Sequence, residues 1–175
     1  MSTFGDPGFH MHAAMGQYLA LLAYHLVSDT IIPFDIPTYT TELRAYLEDL
    51  VENIEASGEE IDTSAIKDAI DEFEKRAKEV DALAKTAATT GDEGLITLVN
   101  TKYRDFQRGF VSQGGLPNRE FYKHVVMAPG LDTGYAAVTF AGVSEGLQYG
   151  NFEVAREWVG RTARGILRAA EILAV

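Results

Sequence analysis

The chain is predicted to be all-α: a bundle of four to five long helices with one long ordered loop between the last two of them. Two observations predict this. Apolar residues recur at steps of three and four over several long stretches, the period of an amphipathic helix. The stretches are separated by Gly and Pro punctuation, and only residues 116–142 form a long segment without that period.

Asp6-Pro7-Gly8 is a turn, and a first helix is expected over about residues 9–31. Met11, Met15, Leu19, Leu22 and Leu26, with a second line through Ala14, Leu21 and Ala23, make it apolar over most of its circumference. Such a helix is buried on several sides or shared with a partner. Pro33 and Pro37 then break the helical path. A second helix, about 38–56, buries Leu43, Leu47, Leu50 and Ile54 and turns Glu42, Glu48, Asp49, Glu52 and Glu55 outward; Ser57-Gly58 ends it.

Asp62 is the expected N-cap of a third helix, about 63–90. Ile66, Ile70, Phe73, Ala77, Val80, Ala84 and Ala87 alternate steps of four and three, the seam of an antiparallel bundle or short coiled coil. Lys67, Asp71, Glu74, Lys78 and Lys85 form its solvated face, with pairs at i,i+4. After Gly91-Asp92 a fourth helix, about 93–113, carries Leu95, Val99, Tyr103, Phe106 and Phe110 on one stripe. Residues 142–149 have room for one helical turn, and a last helix runs over about 151–175. Its Gly160, Ala163, Gly165, Ala169 and Ala170 permit close backbone approach, either within the chain or to a second chain.

The segment 116–142 holds Pro117, Phe121, Tyr122, His124, Pro129, Tyr135 and Phe140. Structureless connections longer than about 12–15 residues are uncommon in compact domains and are usually functional or disordered. Phe121, Val125, Val126, Met127, Val138 and Phe140 offer core-forming surface, so an ordered, packed loop is expected.

The length of 175 residues fits one domain, 1–175, and a hydrophobic content of 46% is enough for a core without staples. A net charge of −11 argues against nucleic acid or anionic lipid as a partner. The absence of cysteine excludes disulfides, a thiol nucleophile and a thiolate metal site. Residues 13–27 come nearest to a membrane span, but Gln17, Tyr18, Tyr24 and His25 interrupt them. The start lacks the features of a signal peptide, and an excised fragment with an added Met1 is expected.

No nucleotide loop, HExxH or GxSxG motif occurs. His10 and His12 are two apart, where a zinc pair on a helix wants i,i+4, and His25 and His124 are isolated. Glu120, Asp132 and Glu145 lie in or near the loop without a spacing that argues for a catalytic pair. No catalytic residue and no metal ligand is expected in this chain.

Three stretches resemble the C-terminal, transferrin receptor-like dimerisation domain of the glutamate carboxypeptidase II family. Ile31-Ile32-Pro33-Phe34-Asp35 is similar to that family's (I/V)LPFD break. LPNREFYKHVVMAP, beginning at Leu116, is similar to LPDRPFYRHVIYAP. Tyr135 followed by Phe140-Ala141-Gly142-Val143 is similar to KYAGESFPGI, and no gap separates the last two matches. Phe4-Gly5-Asp6-Pro7 resembles the segment just after the family's peptidase domain.

The resemblance implies a helical domain of a type II membrane protein, on its extracytoplasmic side, that homodimerises. Zinc and the general base would belong to a peptidase-like domain outside these residues, and no cofactor is expected here. The resemblance also implies that the loop packs on that domain. In the peptidases a Lys-Tyr pair on the loop binds the substrate's terminal glutamate. Tyr135 keeps the Tyr, but Gly134 stands at the Lys position, so charge-assisted recognition of a side-chain carboxylate is lost there. Two roles stay open for Tyr135, a substrate contact or a buried loop aromatic. Pro117, Arg119, His124 and Pro129 are expected to structure the loop. The leading expectation is a non-catalytic homodimerisation domain with the first helix, the small face of the last, or both at a two-fold interface. The alternatives are a domain that completes a zinc peptidase's substrate pocket and a helical adaptor for other proteins.

Overall fold

A computed structural model describes residues 3–132 and 134–175. Its elements are α1 (His10–Ser28), α2 (Ile36–Ser57), α3 (Ser64–Thr90), α4 (Glu93–Asp105), a 3-10 turn (Phe106–Phe110), strands β1 (Met127–Pro129) and β2 (Ala137–Thr139), α5 (Ala141–Gln148) and α6 (Phe152–Leu173), after a short 3-10 turn at Pro7–Phe9. The fold is all-α, with one small antiparallel ribbon inside the long loop.

The helix ends follow from local chemistry. The Asp35 carboxylate accepts from Thr38 N at 3.1 Å and starts α2, and Gly58, at φ 74°, ends it. The expected cap of α3 moves by one residue. Thr63 takes the N-cap position, while the Asp62 carboxylate accepts from Ser64 N at 2.9 Å. Asp92 caps α4 through Gly94 N and Leu95 N, and Asn151 caps α6 through Val154 N.

The axis of the bundle is α3 against α6. Every residue of the four-three seam of α3, from Ile66 to Ala87, is buried. On α6, Trp158, Val159, Ala163, Ile166, Ala170 and Leu173 are buried in the same core. Burying a side chain of Ile, Leu or Phe size contributes about 1.5–3 kcal/mol, so this seam is a principal source of stability. The outer face of α3 carries exposed i,i+4 pairs, Lys67–Asp71, Lys78–Glu74 and Lys85–Asp81. Each such pair stabilises by at most about 1 kcal/mol.

The fourth helix is shorter than the expected 93–113. It stops at Asp105 and tightens into the 3-10 turn, which still points Phe106 and Phe110 into the core. Gly109 explains the tightening: a Cβ there would lie 2.2 Å from Ala169 N, so the chain lies directly on the α6 backbone. Gly165 likewise has no room for a methyl, with Val125 Cγ2 at 2.6 Å. The small face of α6 is therefore used largely within the chain. α5 is two turns long rather than the one expected, and it sits on α6 with Gly142 beneath the Trp158 ring.

The structure departs most from expectation at α1. The helix forms, but none of its residues is buried. The 29–35 link to α2 is held by Asn100 of α4. Asn100 Nδ2 donates to the Thr30 carbonyl and Asn100 Oδ1 accepts from Ile32 N, both at 2.9 Å.

Candidate functional site

Two features stand out from the bundle: the loop at 116–142 and the uncovered α1.

The loop is built in three parts. In the first, Leu116 N donates to the Tyr122 carbonyl at 2.7 Å, closing a tight turn over residues 116–122. Gly115, at φ 76°, passes so near the Glu120 backbone that only glycine fits. Leu116 is buried, but Phe121 is 88% exposed and lies edge-on to Tyr122. Phe121 is thus no core residue. The turn holds its backbone but turns the ring outward.

In the second part the chain rejoins the body. Ser112 N donates to the Lys123 carbonyl and Val125 N to the Phe110 carbonyl, each at 2.8 Å. Val125 and Val126 are buried. His124 packs on Phe110 with ring centroids 5.4 Å apart, and its Nδ1 accepts from Met127 N at 3.2 Å. Burial pushes the imidazole pKa below its ordinary 6.5. His124, Phe110, Met127, Tyr39, Glu42 and Tyr46 help line a cleft of about 640 Å³ between α2 and the loop.

The third part is the ribbon. Met127 pairs with Thr139, Ala128 with Val138 and Pro129 with Ala137. Its tip is closed by Gly130 N to the Ala136 carbonyl at 2.8 Å and Gly134 N to the Gly130 carbonyl at 3.0 Å. Gly134 is left-handed at φ 66°. Tyr135, beside it, is 98% exposed rather than buried. Thr133 lies outside the described residues, as does Met1, the residue expected to be an addition.

Arg119 and Glu145 join these parts. Their side chains are 9% and 8% exposed, and Arg119 Nη2 donates to Glu145 Oε1 at 2.5 Å. Arg119 Nη1 donates to the Pro129 carbonyl, and Leu131 N donates to the same Glu145 Oε1 at 3.0 Å. Pro117, Leu131, Glu145 and Tyr149 line a small cavity of about 260 Å³ nearby. The Asp132 carboxylate raises the pKa of the Tyr149 phenol above its ordinary value. Pairing across 26 residues leaves no periodic trace, so the sequence offers no signal for the role of Glu145.

Two of the remaining histidines, His12 and His25, have local partners. His12 bonds Asp6, whose carboxylate also accepts the Met11 and His12 N–H groups at the start of α1, and His25 Nδ1 lies 3.2 Å from Asp29. Among the described residues, no cluster of three or more His, Asp or Glu is placed to hold a metal, and no helix is long and apolar enough to cross a membrane.

On α1, Met11, Tyr18, Leu21, Leu22, Tyr24 and Val27 stand 46–85% exposed. Large contiguous apolar surfaces of this kind mark interaction sites.

The architecture is a helical bundle with an ordered loop and an uncovered apolar helix. Residues 61–174 match the family described as transferrin receptor-like dimerisation domain, and the chain belongs to that family. A protein of Arthroderma benhamiae named probable glutamate carboxypeptidase is 52% identical over 99% of the chain, which covers 24% of that protein. Probable glutamate carboxypeptidase LAMP1 of Arabidopsis thaliana is 31% identical, over 99% of the chain and 26% of that protein. Inactive zinc metalloprotease C354.09c of Schizosaccharomyces pombe is 25% identical, over 97% of the chain and 22% of that protein. The chain spans about a quarter of the length of the curated relatives it matches.

Proposed function

We propose that the chain is a non-catalytic homodimerisation module of a glutamate carboxypeptidase-like protein, with its 116–142 loop facing the peptidase-like part of that protein. The carrying observation is α1, which has apolar side chains around its circumference and no buried residue. Nineteen helical residues extend about 28 Å at 1.5 Å each. A second copy covers such a helix by an isologous contact, in which the same face serves both partners. The family to which the chain belongs, named for dimerisation, supports this occupant.

Sedimentation equilibrium tests the proposal. A dimer is expected at tens of micromolar, and a clean monomer overturns autonomous dimerisation.

In this reading zinc and the general base reside in the peptidase-like part, and the module lies on the extracytoplasmic side of a type II membrane protein. One relative is named an inactive zinc metalloprotease, so possession of the module does not itself imply a working peptidase.

The exposure of Tyr135 favours a second role for the loop, completion of a substrate pocket in the parent. Gly134 brings no cation, so a terminal residue other than glutamate fits this pocket better. Tyr135→Phe in the full-length protein is expected to raise KM for a peptide substrate, and unchanged kinetics remove this role.

A further inference from the structure

We infer that Glu145 is a positioning residue for the loop tip that carries Tyr135, an inference that rests on the substrate-pocket reading of that loop. A single carboxylate oxygen, Oε1, receives both Arg119 Nη2 at 2.5 Å and the Leu131 N–H at 3.0 Å. The same guanidinium reaches the Pro129 carbonyl. Glu145 directly and through Arg119 therefore holds the chain on both sides of Gly130, where β1 ends and the tip begins.

The base of this grip is rigid, because α5 rests on α6 with no space at Gly142 or Gly146: added methyls would lie 2.2 Å from the Trp158 ring and 2.8 Å from Ala155 N. Tyr135 follows this grip by four residues, between the tip closure and β2.

A buried ion pair contributes little net stability compared with packed apolar residues, because desolvation offsets the attraction. Arg119 Nε is moreover buried without a hydrogen-bond partner. What the pair does supply is direction: two fixed donors on one oxygen define where the tip sits.

The test uses full-length protein and a peptide substrate. Glu145→Gln is expected to raise KM about tenfold while leaving kcat within about twofold, the signature of lost binding alignment. Combined with Tyr135→Phe, it is expected to add less than its single effect, because both act through the same ring. Amide exchange at Leu131 is expected to quicken about tenfold with α3 unchanged, as for a local opening. If Glu145→Gln does not fold, Arg119→Lys, which gives up the fork between Glu145 and the Pro129 carbonyl, is expected to raise KM in the same way. Faster exchange with unchanged KM, where Tyr135→Phe does raise KM, overturns the positioning role. If Tyr135→Phe has no effect, or the parent hydrolyses no peptide, the underlying substrate reading fails and the inference falls with it.

Discussion

Gly109 lies so close to Ala169 that a methyl on its α-carbon would fall 2.2 Å from the Ala169 nitrogen and 2.4 Å from its Cα. Both obstacles are backbone atoms of α6, which cannot swing aside. The 3-10 turn and the last helix are therefore in backbone contact. That contact accounts for the small residues of α6 more directly than a second chain would.

Gly109→Ala should consequently destabilise the fold by about 3 kcal/mol or more, the upper end of overpacking costs. Gly134→Ala makes the control: it faces open space at φ 66°, so only the left-handed backbone is penalised, by about 1 kcal/mol. Urea unfolding of both variants measures the difference, and similar midpoints would contradict the close contact.

The seam of α3 was legible because every residue on it obeys one period and all are buried together. The α4 stripe was legible as a face but not as a helix length. Phe106 and Phe110 remain inward, yet the backbone between them tightens for Gly109, a tertiary reason that no local pattern carries. Phe121 shows the limit of composition, since the turn from Leu116 to Tyr122 decides which way an aromatic ring points. The Arg119–Glu145 link joins residues 26 apart across a ribbon, and it was invisible for that reason. The apolar circumference of α1 was plain in the sequence, but that this chain leaves it uncovered was not.

Removal of α1 separates the two surfaces that can cover it. Residues 29–175 are expected to unfold cooperatively at nearly the same midpoint as the whole chain at concentrations where it is monomeric, because α1 supplies no buried residue within the chain. If α1 is the dimer seam, this shorter chain sediments as a monomer. If it stays dimeric, the seam lies in the 61–174 bundle that matches the family, and α1 belongs against the peptidase-like part.

Asn100 fixes how α1 leaves the bundle, through its paired bonds to Thr30 and Ile32. Asn100→Ala should cost about 1–2 kcal/mol, since it removes two bonds to backbone groups. The more telling readout is local. The Ile32 amide should exchange faster while α3 keeps its protection, and any dimer built on α1 should weaken in parallel. Unchanged exchange at Ile32 would show that the link is held by other contacts.

His124 gives the fold a pH dependence whose sign can be worked out. Burial lowers its folded pKa beneath 6.5, and the bond accepted from Met127 N requires Nδ1 to be unprotonated. Asp35 and Glu42 line the same cleft, and burial is the larger cause, so the net shift is downward. The unfolded chain therefore binds the proton more readily than the folded one. Above pH 6.5 both states are neutral at this ring and its contribution to stability is complete. As pH falls through 6.5 the unfolded state is protonated first, and stability declines until the folded pKa is reached. Urea unfolding between pH 7.5 and about 5 should show this decline, and His124→Gln, which cannot titrate, should flatten it. An equal slope in the variant would assign the dependence to other groups.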